Sequence, residues 1–286
     1  MRIIIVRPRK TFRVPIEAEC LSPKVLSELD LEETKKLRVY EGNKIRRLED
    51  LFIIKEEREG SEESLRIVLE GDFSKVWRIG EDMESGEVVV KGNCGPFLGL
   101  RMRGGRIVVH GNAGSWLGAE MSGGSIEVHG DAGDYVGAIF RGERPGRGMK
   151  GGEIRIHGNA GVELGGGMNK GLIVVDGSCG VMPGRGMRGG SILIRGDCEG
   201  RAGARASGGK VVICGKAGGV LPTFYISGIV PTVKVRGERL KGPFYLFVGD
   251  VLSNISCGCR LYISVNKNPE LESYKELLEV KDVGPY

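Results

Sequence analysis

Gly104-Gly105-Arg106-Ile107-Val108-Val109-His110-Gly111-Asn112-Ala113-Gly114-Ser115-Trp116-Leu117-Gly118 is read again 19 residues later as Gly123-Gly124-Ser125-Ile126-Glu127-Val128-His129-Gly130-Asp131-Ala132-Gly133-Asp134-Tyr135-Val136-Gly137. The glycine that closes each apolar run recurs at Gly92, Gly111, Gly130, Gly158, Gly177, Gly196 and Gly215. Every step is 19 residues except one of 28, which carries a nine-residue insertion near Phe140–Met149. A fixed period of this size decides the fold before any local propensity does.

Within each unit two apolar side chains alternate with a variable residue. The pairs are Ile107/Val109, Ile126/Val128, Ile154/Ile156, Ile173/Val175, Ile192/Ile194 and Val211/Ile213. Val108, Glu127, Arg155, Val174, Leu193 and Val212 lie between them. Period two predicts strands with one buried face. Nineteen residues are too few for a strand and a helix, and one unit cannot bury its own core, but stacked units can. The expected fold is all-β, a right-handed parallel β-helix with small mixed α/β caps at both ends. Leu65–Leu69, ending at Gly71, reads as a degenerate first turn, giving about eight 19-residue coils. At ~4.8 Å per coil these make a rod roughly 35–40 Å long.

The glycines fit this geometry. Of 49 in the chain, 39 lie between residues 81 and 220, so the excess belongs to the repeat. A Gly precedes the closing glycine by six residues in every one of the seven turns, from Gly86 to Gly209. Another follows by seven in six turns, from Gly99 to Gly203. Corners this tight need positive φ, which glycine adopts without steric cost.

Three segments follow. Residues 1–64 are expected to form an N-terminal cap, 65–222 the glycine-rich repeat domain, and 223–286 a C-terminal cap with a terminal helix. In the first, Ile3–Val6 and Leu51–Ile54 read as strands, and Leu37–Tyr40 with Lys44–Leu48 as a hairpin. Asp30 and Glu33 suggest a capping box opening a helix through Lys36. Lys55–Ser64, densely charged, reads as a surface loop. In the last, Val233–Arg236, Pro243–Val248 and Leu261–Val265 read as strands. Asn268-Pro269 opens a helix to about Val280, with Asn as N-cap and Pro in the first turn.

Composition narrows the function classes. A net charge of +5 with both signs abundant gives no strong nucleic-acid signal. There is no apolar run of 18 residues to span a membrane. The apolar core of the N-terminus, Ile3–Val6, is too short for a signal peptide, so a cytoplasmic location is expected. Seven cysteines, an odd number, do not resemble a disulfide framework.

His110, His129 and His157 occupy one register position in consecutive turns. Stacked imidazoles point their nitrogens in parallel rather than at a common centre, so the ladder reads as a surface stack. A metal or proton-relay role is the alternative. Cys94, Cys179 and Cys198 take a corner position that holds alanine in the other turns, as buried structural thiols would. Cys257-Gly258-Cys259 is at best half a zinc site. Met83, Met102, Met121, Met149, Met168 and Met187 recur in register as core filler, or as an adaptable interface if they face outward. The insertion carries Arg141, Arg144 and Arg147, which are the interface candidates, since loops inserted in solenoids mark binding faces. No nucleophile–base pair, acid dyad or phosphate loop is present, so no catalytic, cofactor-binding or metal residue is assigned. The residues alone describe a binding or scaffold module.

The repeated Gly-x-x-Gly-x-x-x-Gly, as at Gly111, Gly114 and Gly118, resembles the GXGXG β-helix domain. That domain is shared by the C-terminal region of glutamate synthase large subunits and by the C subunit of formylmethanofuran dehydrogenase. Val39-Tyr40-Glu41-Gly42-Asn43, Gly133-Asp134-Tyr135-Val136-Gly137 with Arg141-Gly142, Leu221-Pro222 with Phe224, and Phe244-Tyr245 through Gly249-Asp250 resemble the second. This likeness implies a β-helix subunit of a cytoplasmic archaeal complex that reduces CO2 with ferredoxin electrons and forms formylmethanofuran, the first step of methanogenesis from CO2. It implies partner subunits that carry a molybdenum or tungsten pterin with iron–sulfur clusters, and an amidohydrolase-like metal centre. No catalytic residue of that family maps onto this chain. The rivals are a stand-alone glutamate synthase domain and the equivalent subunit of the bacterial formyltransferase/hydrolase complex.

Overall fold

The computed structural model describes residues 1–60, 64–140, 142–144, 146–253 and 258–279. The N-terminal segment contains β1 (Arg2–Pro8), β2 (Ile16–Glu17), α1 (Pro23–Leu26), α2 (Leu31–Lys35), β3 (Arg38–Glu41), β4 (Lys44–Arg47), α3 (Leu48–Leu51) and β5 (Phe52–Arg58). The capping box at α2 forms as expected: the Asp30 carboxylate accepts the Glu33 N–H and the Glu33 carboxylate accepts the Asp30 N–H. The expected loop at Lys55–Ser64 is corrected, because β5 runs to Arg58, while residues 61–63 lie outside the described residues. Its charges belong to an edge strand. β5 pairs antiparallel with β1, and Glu56 meets the Arg2 guanidinium at 2.9 Å. Charged side chains along an edge discourage further strand pairing.

The repeat follows as β6 (Leu65–Leu69), the short β7 (Val76–Trp77), then β8 (Glu87–Val90), β9 (Arg106–Val109), β10 (Ser125–Val128), β11 (Lys150–Ile156), β12 (Lys170–Val175), β13 (Arg188–Ile194) and β14 (Gly208–Ile213). β6 and β8 to β14 lie side by side, all parallel, so each unit rests on the one before it. Strands from outside the repeat extend this row, with β1 parallel to β6 at one end and β17 (Cys259–Ser264) parallel to β14 at the other. A second row of parallel bridges runs through Phe73, Cys94, Ala113, Ala132, Ala160, Cys179 and Cys198. The fold is mainly β, as expected, and one continuous apolar core runs from Ile4 to Leu271.

The methionines belong to that core. Met83, Met102, Met121, Met149, Met168 and Met187 are fully buried, and so is Ala206, which takes their slot in the next unit. From Gly105 onward, the glycine six residues before the closing glycine packs against them. A Cβ on Gly105, Gly124, Gly152, Gly171, Gly190 or Gly209 would stand 2.4–2.8 Å from the methionine methyl of the preceding unit.

A further set of ties was not read from the repeat. One residue after six of the seven closing glycines, from Gly92 to Gly196, stands an Asn, Asp or Ser whose side-chain oxygen accepts a backbone N–H of the next unit. Asn93 accepts from Asn112 at 3.0 Å, Asn112 from Asp131 at 2.8 Å, Asp131 from Asn159 at 2.7 Å, Asn159 from Ser178 at 2.9 Å, Ser178 from Asp197 at 3.0 Å and Asp197 from Lys216 at 2.8 Å.

Beyond the repeat, β15 (Tyr225–Val235) and β16 (Glu238–Gly249) form a long hairpin, longer than the expected strands, and β16 pairs with β17. Leu240, Phe244, Val233 and Val235 pack on Leu172, Val174, Leu193 and Val212. The variable slot of the later units is thus buried as well, in contrast to a strand with only one covered face. The expected helix from Asn268 is also corrected. Pro269–Lys275 is 3₁₀, followed by one helical turn, α4 (Glu276–Glu279), while Val280 lies outside the described residues. Asn268 makes no side-chain cap for it. Instead Asn268 is fully buried; it accepts the Ala217 N–H at 2.8 Å and donates to the carbonyls of Gly215 at 3.0 Å and Ser264 at 2.8 Å. It closes the open end of the last unit, whose backbone groups would otherwise be left unpaired.

Candidate interface on the stacked units

Side chains that repeat in register form columns on the surface. The histidine column is exposed, with ring centroids 5.2 Å apart for His110 and His129 and 5.1 Å for His129 and His157. At its end, His157 Nδ1 lies 2.8 Å from Asp176 and Nε2 lies 3.2 Å from Glu127. Both nitrogens of that ring are therefore engaged by carboxylates. The chain of charges continues from Glu127 to Arg106 at 3.0 Å, and from Asp176 through Arg195 at 3.0 Å to Glu238 at 2.8 Å. The His157 hydrogen bond, reinforced by Arg106, holds the Glu127 carboxyl below its ordinary range. Among the described residues, no three or more His, Cys, Asp or Glu side chains are grouped to hold a metal ion.

A second column is aromatic. Five residues after the closing glycines from Gly92 to Gly196 the backbone is left-handed, and Phe97, Trp116 and Tyr135 occupy that position with φ of 64°, 64° and 63°. Glu163, Met182 and Arg201 take it in later units. A bulky residue at positive φ is strained, and strain of this kind points toward function. Trp116 stacks on Tyr135 at 4.5 Å, and Phe97 stacks on Trp116 at 6.3 Å. Phe140, the first residue of the insertion, folds over Trp116 at 4.8 Å and Phe97 at 6.1 Å. The aromatic column therefore anchors the start of the insertion to the stacked units. Of the arginines there, Arg147 pairs with Glu143 at 3.1 Å and Arg144 is exposed, while Arg141 lies outside the described residues. Sequence reading found the insertion but missed its anchor, although the 19-residue spacing of Phe97, Trp116 and Tyr135 carried the signal.

Beside this column lies a compact charge cluster. Glu81, nearly buried, is hydrogen-bonded by Arg78 at 2.5 Å and by Arg101, which also reaches Asp82 at 3.1 Å. The Arg101 guanidinium holds the Asp82 carboxyl below its ordinary range. Three thiols, Cys20, Cys94 and Cys259, are each pushed up to about 12 by burial, which makes them poor nucleophiles. Cys257, the other member of the Cys257-Gly258-Cys259 spacing, lies outside the described residues. No helix among the described residues is long and apolar enough to cross a membrane.

No protein-family model matches the chain. In sequence, it is 40% identical over 99 residues to the C subunit of the tungsten-containing formylmethanofuran dehydrogenase 2 of Methanothermobacter wolfeii, a match over 35% of this chain and 37% of that protein. It is 43% identical over 95 residues to the C subunit of the molybdenum-containing formylmethanofuran dehydrogenase 1 of Methanothermobacter marburgensis, over 33% of this chain and 23% of that protein. The match thus spans between about a quarter and little more than a third of the length of these curated relatives. In structure, it is similar to a chain of the formyltransferase/hydrolase complex of Methylorubrum extorquens, solved with methylofuran. That match has a TM-score of 0.79 and 26% identity, and covers 91% of this chain and 99% of the other.

Proposed function

We propose that this chain is the non-catalytic scaffold subunit of a formylmethanofuran dehydrogenase complex, an oxidoreductase that reduces CO2 and forms formylmethanofuran in methanogenesis. The observation that carries the reading is the structural likeness along nearly the full length of a subunit from a complex of related chemistry, joined to a stretch about 40% identical to dehydrogenase C subunits. In this reading residues 65–222 are a right-handed parallel β-helix, and residues 1–64 and 223–286 cap its ends. Parallel stacking with 19-residue offsets supports it, and right-handed crossovers are the rule for parallel strands. The complex is cytoplasmic, and molybdenum or tungsten pterin, iron–sulfur clusters and the further metal centre reside in partner subunits. The insertion, with Arg144 and Arg147 on its anchored loop and Arg141 beside them in sequence, is part of the surface those partners meet.

A second reading is favoured by the structural match itself: the equivalent scaffold subunit of a formyltransferase/hydrolase complex without the redox step. Purifying the assembly from its source by a tag on this chain, followed by metal and pterin analysis, separates the readings. Molybdenum or tungsten pterin supports the dehydrogenase, and an assembly without redox cofactor supports the formyltransferase/hydrolase. Flavin would instead support a glutamate synthase assignment. Methanofuran-dependent activity of this chain alone would overturn the scaffold assignment.

A further inference from the structure

The N-terminal segment carries a second sheet, ordered β4-β3-β2-β7, in which the β3–β4 hairpin forms one edge. Its register sets Arg38 opposite Arg47 and Tyr40 opposite Ile45, with Val39 opposite Arg46 and Glu41 opposite Lys44 between them. Opposed residues share a face and successive pairs alternate. Val39 is fully buried, so its face looks inward, and Arg38, Tyr40, Ile45 and Arg47 look out. Two features of that outer face run against a merely solvated surface. Tyr40 and Ile45 are 44% and 58% exposed, the latter among the most exposed large apolar residues of the chain. Like charges placed directly opposite each other in a sheet are destabilising, yet Arg38 and Arg47 are so placed.

The positive charge is only partly balanced nearby. Lys36, Arg38, Arg46 and Arg47 line a shallow depression of about 370 Å³ with Ile45 and Asp50. The neighbouring carboxylates are already engaged. Asp50 accepts the Arg47 N–H at 2.9 Å, Glu49 lies 3.5 Å from the Arg47 guanidinium, Glu41 is held by Lys10 at 2.5 Å and by Arg46 at 3.1 Å, and Glu17 faces Arg78 at 3.8 Å. Lys36 and Arg38 form no ion pair among the described residues.

We infer that the outer face of the β3–β4 hairpin is a docking surface for an acidic segment of a partner protein. The partner's carboxylates meet Arg38, Arg47 and Lys36, and an apolar side chain covers Ile45 and Tyr40. The opposed arginine pair is the geometry that two carboxylates on one extended segment would relieve. Arginine is suited to this because its planar fork takes a carboxylate through two hydrogen bonds. The inference rests on the scaffold reading, since it names where one partner subunit sits.

The test uses the chain co-expressed with the other subunits of the proposed assembly. A carbodiimide that joins lysine amines directly to carboxylates is applied to the intact complex, and the linked peptides are read by mass spectrometry. In parallel, Arg38→Glu/Arg47→Glu and Arg38→Lys/Arg47→Lys double variants are assembled, with thermal midpoints of the isolated chains as the folding control. Expected are cross-links from Lys36 to a partner Asp or Glu, and at least a tenfold loss of association for the charge-reversed variant, with most of it retained by the lysine variant. A complex that assembles undiminished with charge-reversed but folded chain, and without those cross-links, overturns the docking surface and leaves the scaffold reading standing. Failure of the wild-type chain to assemble overturns both. Release by inorganic phosphate as readily as by sodium chloride of equal ionic strength keeps the protein partner; release by phosphate far below that strength assigns the surface to a small anion and overturns the inference.

Discussion

The methyl carbon of Met102 lies 2.5 Å from the place a Cβ on Gly124 would take. The same contact recurs from unit to unit, so the side chain that fills the core of one coil sets the residue at the corner of the next. Gly124→Ala is expected to destabilise the fold by about 1–3 kcal/mol, because it adds this clash to a φ of +79°. Met102→Ala is expected to cost about 2–5 kcal/mol through the cavity it leaves. The double variant should be less damaged than the sum of the two, because the methyl clash is gone. It should not recover fully, since the Gly105 carbonyl oxygen still stands 2.8 Å from the new Cβ. Urea unfolding of the four proteins measures the coupling, and strict additivity would contradict this packing.

Asn112 receives the Asp131 N–H at 2.8 Å on an exposed edge, so its bond competes with water. Asn112→Ala is expected to cost about 0.5–1.5 kcal/mol, and Asn112→Ser appreciably less, because Ser178 performs the same task further along the stack. Hydrogen exchange of the Asp131 amide gives the local readout and should quicken in the alanine variant alone.

Trp116 holds Phe140 at 4.8 Å and through it the start of the insertion. Trp116→Ala is expected to loosen that segment. The visible result is faster trypsin cleavage after Arg147, which Gly148 follows, with a thermal midpoint lowered by only a few degrees. Aromatic pairs of this kind contribute about 0.5–1.5 kcal/mol beyond their buried area. Unchanged cleavage would mean that the loop is held by other contacts.

Stability against acid follows from the ion pairs. Hydrogen bonds from Lys10 to Glu41, Arg2 to Glu56, Lys91 to Glu70, Arg101 to Asp82 and His157 to Glu127 hold these carboxyls below their ordinary range. A carboxyl depressed in the folded state contributes stability that is fully present above its unfolded value, about 3.9 for Asp and 4.3 for Glu. That contribution is lost as pH falls through the folded value. The urea midpoint is therefore expected to drop as pH is lowered from 5 toward 3, and to drop less for Glu127→Gln, which has already given up its share. Partly exposed pairs contribute little individually, so the slope reflects their sum.

The cysteines supply a simple check. Burial raises the thiols of Cys20, Cys94 and Cys259 to about 12, so at pH 8 almost none is thiolate. Iodoacetamide is expected to leave these three untouched in the folded chain and to modify all of them in urea. Rapid labelling of Cys94 in native buffer would show that the corner opens.

The repeat by itself determined the stack of parallel strands, because a 19-residue unit with alternating Ile/Val pairs can bury that face only against copies of itself. Local rules sufficed too for the α2 capping box, whose partners lie three residues apart. The uses of long-range neighbours were beyond its reach. Val174, Leu193 and Val212 stand in slots that Glu127 and Arg155 fill elsewhere, and only the β15–β16 hairpin folded across them explains the difference. Asn268 has the form of a helix cap, but tertiary structure turns it back onto Gly215 and Ala217, 51–53 residues away, where buried backbone groups gain more from it than an exposed helix end would. Likewise Phe97, Trp116, Tyr135 and Phe140 are separate aromatics in the chain. They become one column because stacking at 19-residue intervals superimposes three of them and the insertion returns the fourth, a proximity fixed by coil geometry rather than by any local pattern.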